Sequence, residues 1–483
     1  MQPRKPLRAA AAIVAASSLV LVASGCASSP DSGEGGGDAV TITLSGPNQW
    51  NSDPASFGPA WEDLIAAFEE EEPNINVETT VLPLAEFKNT LSTQLAAGTA
   101  PELIFAQTSH TPEQVTVLDD YLDEPNPYVD GNERWLDVFN ADYYGPNSSV
   151  SRNAANNYEF VPFNLYIFGL YYNAEAFEDA GAKVPETYGE LLTACDDLRD
   201  AGYTPLAFDN AWGSQNSVFK PILASLLTKY FDEWNQFAGD GTPGQATQVS
   251  QKSFAYQILS GKITPESVPE VAEALDLAKA IVDRCATENW SGVATTGSTF
   301  TGAQEFLSGT AGMSFGANFS ANSLADVDWD YGTLPFPTIT KKDSPLATGD
   351  PSRLGASVGG TSYMIPSYIK GAQLDAAIKF LQFVSSPEHV QPWLDASGGI
   401  PSLTDATPAP GLEGFLEGDW AIPPLVPDPQ FIPKAINGQA VYTGYFTGTK
   451  SIDDQLAEMG SYWIEKSKEL AADGGWTEDW AKQ

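Results

Sequence analysis

Histidine and cysteine are scarce in this 483-residue chain, which holds two histidines and three cysteines. With only His110 and His389 and no paired spacing of ligating residues, neither a catalytic metal site nor a cofactor is expected. Basic residues are also few: 24 Lys and Arg face 63 Asp and Glu, for a formal net charge of −39. A surface so acidic repels nucleic acid and anionic lipid headgroups, so nucleic acid is excluded as a partner. Apart from the run Glu69–Glu72 the charge is dispersed and reads as solubility in an exported protein. It disfavours an anionic ligand without excluding one, because local groups decide a site. Beyond the first residues no apolar run approaches the roughly 18 that a membrane helix needs. No glycine-rich phosphate loop occurs either.

What is there begins with a leader. Arg4, Lys5 and Arg8 precede an apolar run from Ala9 to Ala23 that ends in "VASGCASS", the pattern of a secretory signal peptide over residues 1–25. Its end resembles a bacterial lipobox, with Ala23 where that motif commonly has leucine, and the resemblance makes Cys26 the lipidated first residue of the mature chain. Several acyl chains hold a protein at a membrane durably, at about 0.8 kcal/mol per buried methylene. Residues 26–38, rich in Ser, Gly and acid, cannot bury enough apolar surface to fold and read as a flexible tether. Loss of the leader takes the formal charge from −39 to −42. The remaining body of about 450 residues has the length of two or more lobes. With Cys26 assigned to lipid, Cys195 and Cys285 are left in an oxidising compartment as either a disulfide or two buried thiols.

The body opens with an alternating strand at Val40, Ile42 and Leu44. A helix with Trp61, Leu64, Ile65 and Phe68 on one face follows, then the strand "INVETTVL". Next comes a helix with Leu84, Phe87, Leu91 and Leu95 aligned and Gly98 as its stop, and then the short strand in "PELIFAQTS". This β-α-β-α-β order predicts an α/β lobe with a largely parallel sheet. Ligands of such sheets bind beyond the carboxyl ends of the strands, which points to the loops Pro47–Asp53 and Gln107–Thr111.

In "VPFNLYIFGLYYN", Val161–Asn173, both parities are apolar, which predicts a strand buried on both faces. Helical periods follow, one opened by a capping box at Thr187 and Glu190, so a second α/β region begins here without a linker. Further along, "TGAQEFLSGTAGMSFGANFS" reads as helix, turn and strand. "DWDYGTLPFPTI" and "GASVGGTSYMIP" read as strands, and "QLDAAIKFLQFVSS" as an amphipathic helix.

The segments "AAGTAPELIF", "VPFNLYIFGLYYNAEAFEDAGAKVPETYGELLTACDDLRDAGYTPLAF", "FLSGTAGMSFGANF", "VGGTSYMIP" and "AAIKFLQFVSSPEHVQPWLDASGGIPS" stand in an order and spacing that resemble extracellular solute-binding protein family 1. These are the sugar-binding subunits of ABC importers. The resemblance runs from about Val40 to Trp463. It implies an α/β, two-lobed periplasmic-binding-protein-like fold of type II, whose hinge-linked lobes close on a ligand in the cleft between them. On this chain it implies crossings near Phe163–Leu170, Leu334–Pro337 and Gly398–Pro401. Residues 39–165 with 336–398 would form the N-terminal lobe, and 166–335 with 399–483 the C-terminal lobe. The implied partners are a sugar or oligosaccharide, the permease subunits of an ABC transporter, and the membrane through Cys26. The protein is expected to act as a monomer.

A sugar offers hydroxyls at fixed angles and apolar C–H faces, so its site needs amides or carboxylates together with aromatic rings. On that ground and on the resemblance, the candidates in the first lobe are Asn48, Gln49 and Trp50 after the first strand, and Gln107 and Ser109 after the third. Tyr166 lies in the long aromatic stretch, at a position where the family carries a ligand-contacting carboxylate. Phe168, Tyr171 and Tyr172 are expected to be core. In the second lobe Asp209 and Trp212 follow a strand end, and Asn318 and Phe319 follow "GMSFGANF", with Phe319 in the place of a stacking tryptophan. Gly359 and Gly360 either let backbone amides approach the ligand or make a tight turn. A non-sugar solute remains the alternative.

Two enzymatic signals are weaker. "GASVG" matches the G-x-S-x-G elbow at Ser357, with Asp375 and His389 following, but the elbow belongs at a strand-to-helix turn and here glycines lead into a strand. "DVDWDYG" imitates the start of a calcium loop and then has Tyr331 and Pro337 where glycine and glutamate belong. Neither an enzyme nor a metal protein is expected.

Overall fold

The alternation at Val40, Ile42 and Leu44 becomes β1 (Val40–Pro47), with Ile42 and Leu44 fully buried. The computed structural model describes residues 39–47, 55–146, 148, 151–153, 156–239, 241–293, 300–428 and 431–482. The signal peptide, the tether and Cys26 lie outside the described residues. From β1 the chain passes through the helix Pro59–Glu71, which starts on proline and turns Trp61, Leu64, Ile65 and Phe68 inward. It returns as β2 (Ile75–Leu82), parallel to β1 with Val40 opposite Ile75 and Pro47 opposite Leu82. The helix Phe87–Ala97 ends at Gly98, whose φ of 69° supplies the left-handed cap, and leads to β3 (Leu103–Phe105), also parallel to β1. Leu84, expected on this helix, precedes its first turn and is 57% exposed, so the buried stripe is Phe87, Leu91 and Leu95 only.

The stretch Val161–Asn173 is two strands rather than one. β4 (Val161–Tyr166) joins the first sheet, and β5 (Phe168–Asn173) joins a second. Along the chain follow β6 (Thr204–Ala207), β7 (Ala311–Ala317), β8 (Tyr331–Leu334) and β9 (Ser357–Met364). The first sheet has the order β2-β1-β3-β9-β4 and the second β6-β7-β5-β8. β9 runs antiparallel to both β3 and β4, which makes the first sheet mixed. The fold is therefore two-lobed α/β, each lobe built on its own sheet.

Buried side chains pack on both sheets in one continuous core. Around the first, Trp61 packs edge-on against Phe163, Tyr363 and Trp393 at centroid distances of 5.7, 6.0 and 5.4 Å. Beside the second lie three helices: Tyr188–Asp200, opened by the Thr187–Glu190 capping box, Trp212–Leu227 and Pro269–Cys285. The middle one is buried from Ser214 to Phe219 and again from Pro221 to Leu227. Burial on nearly every side marks a helix packed into the interior, polar side chains included. Cys195 and Cys285 join the outer two by a disulfide, with Cα atoms 5.3 Å apart.

The passages between sheets differ in part from those expected. The first is the step from Tyr166 through Ile167 to Phe168. After β8 the chain stays with second-sheet neighbours: Thr338 N–H donates to Glu186 O (2.9 Å) and Ala356 N–H to Ala421 O (2.8 Å). The second passage therefore falls at Ala356–Ser357, beyond the expected Leu334–Pro337. Past Gly398 the chain still pairs with the first body, since Asn140 N–H donates to Ser402 O (2.9 Å) and Thr404 N–H to Val138 O (3.0 Å). It reaches the second body only afterwards, where Phe415 packs edge-on against Tyr171 at 5.2 Å.

The disulfide closes a chain separation of 90 residues. On a chain-entropy account its reduction should lower unfolding stability by at most about 4.6 kcal/mol. This is read as a lower urea midpoint for reduced than for oxidised protein. An unchanged midpoint would show that the bond does no work in the folded state.

Candidate functional site

Where the first passage leaves β4 and enters β5, the two sheets meet around an open cleft of about 370 Å³. Tyr166 and Phe168 face it from the passage itself. The opposite wall is the start of the helix Trp212–Leu227, which presents Trp212, Asn216 and Lys220, one turn apart on a single face. Phe315 of β7, Ser357 at the head of β9 and Trp420 complete it.

The rings are held by packing. Phe168 stacks on Phe315 with centroids 6.0 Å apart and planes 3° from parallel, and the Trp420 indole N–H donates to Phe168 O (3.1 Å). Tyr166 is 38% exposed, with Phe319 tilted against it at 6.0 Å. Desolvation by its surroundings pushes the Tyr166 hydroxyl above the ordinary phenol value, so at neutral pH it stays protonated and able to donate. Lys220 places its Nζ 4.7 Å from the centre of the Trp212 ring and 3.9 Å from Asp428 Oδ2. The arrangement is an aromatic-walled cleft with a few polar tips, suited to a solute with both apolar faces and hydrogen-bonding edges.

Of the residues picked from sequence, Tyr166 and Trp212 come together in this cleft and Phe319 supports the first of them. Gln107 donates through Nε2 to Gly359 O (2.5 Å), and Gly359 N–H donates to Ser357 Oγ (3.1 Å), which puts that pair at the rim. Ser109 is exposed in the loop after β3. Asn48, Gln49 and Trp50 lie outside the described residues.

Three candidates carry structural contacts. Asp209 is buried and spends its carboxylate on the Ala211 and Gly302 N–H groups (3.0 and 3.4 Å) and the Ser214 hydroxyl (2.5 Å). Asn318 is fully buried: its Oδ1 accepts from Ile167 N–H (3.1 Å) and its Nδ2 donates to Gly398 O (2.9 Å). Gly360 lies against β4, where an added Cβ would come within 2.4 Å of Asn164 O, so glycine here lets two strands touch.

Sequence reading missed Phe168, set aside as core, together with Asn216, Lys220, Phe315 and Trp420. A signal for Lys220 existed: it is the one charge in the apolar run "SVFKPILASLL". Ser357 begins a strand, not a strand-to-helix turn, and His389 turns its Nδ1 to Ser386 Oγ (3.0 Å) with its ring 4.2 Å from Phe383. Among the described residues no group of three or more His, Cys, Asp or Glu is placed to hold a metal ion.

Comparison with known proteins agrees with this architecture. The profile of the family described as bacterial extracellular solute-binding protein matches residues 51–391. The ABC transporter periplasmic-binding protein YcjN of Escherichia coli (strain K12) is 23% identical over 347 residues, 70% of this chain and 67% of its own. The multiple sugar-binding protein of Streptococcus mutans is 22% identical over 335 residues, 69% of this chain and 70% of its own. A secreted solute-binding lipoprotein from Streptomyces coelicolor shares the fold, with a TM-score of 0.60 at 17% identity over 88% of this chain and 98% of that one.

The Asn318 amide makes its own prediction. Asn318→Ala strands the Ile167 N–H and the Gly398 carbonyl in the interior and should lower unfolding stability by about 2–4 kcal/mol. Gln107→Ala at the exposed rim should stay within about 1 kcal/mol of the parent. Denaturant melts of the two variants make the comparison, and equal losses would contradict the assigned roles.

Proposed function

The chain belongs to the bacterial extracellular solute-binding proteins, and from that premise we propose that it captures a sugar or oligosaccharide and delivers it to the permease of an ABC importer. The observation that carries the reading is the cleft, where Tyr166, Phe168, Trp212 and Trp420 bring four aromatic side chains to a space large enough for a saccharide. Pyranose rings present flat C–H faces that aromatic rings cover, and the tips of Tyr166, Asn216 and Ser357 supply hydrogen bonds to hydroxyls. The multiple sugar-binding relative supports the same solute class.

Capture then works by population shift. A solute touching both walls has more contacts when the lobes approach, and its difference in affinity for open and closed forms drives closure. The lobes move as bodies joined at Ile167, at Ala356–Ser357 and just beyond Thr404. No bond is made or broken in the solute. An acylated Cys26 holds the receptor outside the cytoplasmic membrane, within reach of its permease, and one copy suffices for the cycle.

Thermal melting against a panel of mono- and oligosaccharides tests the reading. A saccharide present at 100 times its dissociation constant should stabilise the protein by about 2.7 kcal/mol. A shift with an amino acid or peptide and none with any carbohydrate would reject sugar as the solute.

Tyr166→Ala and Tyr172→Ala should separate binding from packing. The first should weaken saccharide binding about tenfold or more with a small change in stability. The second, whose ring packs on Phe177 at 5.3 Å, should lower stability and leave affinity within about twofold.

A further inference from the structure

Of the described side chains lining the cleft, Lys220 alone carries a formal charge, and that charge is opposite to the net −39 of the chain. Its side chain is 18% exposed. Among the described residues its one ion-pair partner is Asp428, with Oδ2 3.9 Å away, and Nζ makes no hydrogen bond. An ammonium has three donors, and a loose ion pair leaves them without acceptors while burial costs them water. Burial accordingly pushes the Lys220 pKa below the ordinary lysine value, with Asp428 pulling it back up. The Trp212 indole N–H, on the ring that the ammonium covers, is likewise buried without a partner among the described residues.

Nearby acids do not compensate. Asp419 is bound to Arg353 (3.0 Å to Nε), and Asp209 is consumed by its own turn. Among the described residues the cleft therefore has donors to spare and no carboxylate in its lining. A neutral sugar hydroxyl brings a donor along with its acceptor lone pairs and is matched by a mixed set of groups. A carboxylate brings acceptors only, and to an ammonium it binds by charge-assisted hydrogen bonds.

We propose that the solute is an acidic saccharide, a uronic acid or a uronate-containing oligosaccharide, whose carboxylate is received by Lys220 with the Trp212 N–H beside it. This rests on the saccharide reading above and narrows it. Asp428 is the loose counter-ion of the ammonium, and a bound uronate competes with it for the same donors. Tyr166, Phe168 and Trp420 are left for the rings of the sugar.

Calorimetric titration with galacturonate and glucuronate, as monomers and short oligomers, against galactose and glucose counterparts of equal length tests this. The parent protein should bind the acidic member of a pair at least about tenfold more tightly. Lys220→Met, which keeps the apolar stem, should erase that preference, and Asp428→Asn, which removes the competing carboxylate, should enlarge it. Melting temperatures of the unliganded variants within a few degrees of the parent exclude misfolding as the cause. Neutral saccharides binding as tightly as acidic ones, or an acidic preference that survives Lys220→Met, would overturn the proposal and leave the saccharide reading standing. Binding of a non-carbohydrate solute with no response to any saccharide would overturn both.

Discussion

A chain that passes between two bodies through buried space must find partners for every peptide group on the way, and in this protein two asparagine amides supply them. Asn318 takes the Ile167 N–H and gives its own to Gly398 O, while Ile167 O accepts from the Asn318 N–H (2.9 Å). Asn164 Oδ1 accepts from Ile400 N–H (2.8 Å), and Leu165 N–H donates to Ile400 O (2.7 Å). The first passage is thus tied to the segment Gly398–Ile400, which precedes the third. Side-chain amides suit this position because they both donate and accept at fixed angles.

The cleft depends on that knot. With Ile167 held, the side chains before and after it, Tyr166 and Phe168, turn out of the core and become its walls, while Ile167 stays fully buried. Opposite them stands the most enclosed helix of the second body, Trp212–Leu227, so the polar tips of Asn216 and Lys220 project from a rigid support. Rigid walls joined by narrow connections can change their separation without changing their own shape. The closure on a solute proposed above needs that combination.

The place of Tyr166 and Trp212 on the wall of the candidate cleft was legible in sequence because a large amphipathic ring at a strand end or helix start has few reasons to be there other than a surface to cover. Asp209 and Asn318 looked equally suitable, since short polar side chains after a strand are what a sugar site uses. They are also what a turn or a chain crossing uses, and only the neighbours of each show which demand was met. Phe168 was hidden for a related reason. In an unbroken strand it would alternate into the core, and the break at Ile167 resets the alternation without altering the apolar pattern, because each half is buried in a different lobe.

Composition and periodicity by themselves determined the exported character of the chain, the α/β class, the helix caps at Gly98 and Thr187, and the family order of segments. These are local properties, set by how each residue behaves among its near neighbours in sequence. Tertiary structure alone decided which strand joined which sheet, the joining of Cys195 to Cys285, the second passage at Ala356 and the placing of Lys220 among aromatic walls. Those depend on contacts between residues tens to hundreds of positions apart. A hydrophobic period records that a face is buried, and it carries no information about what buries it.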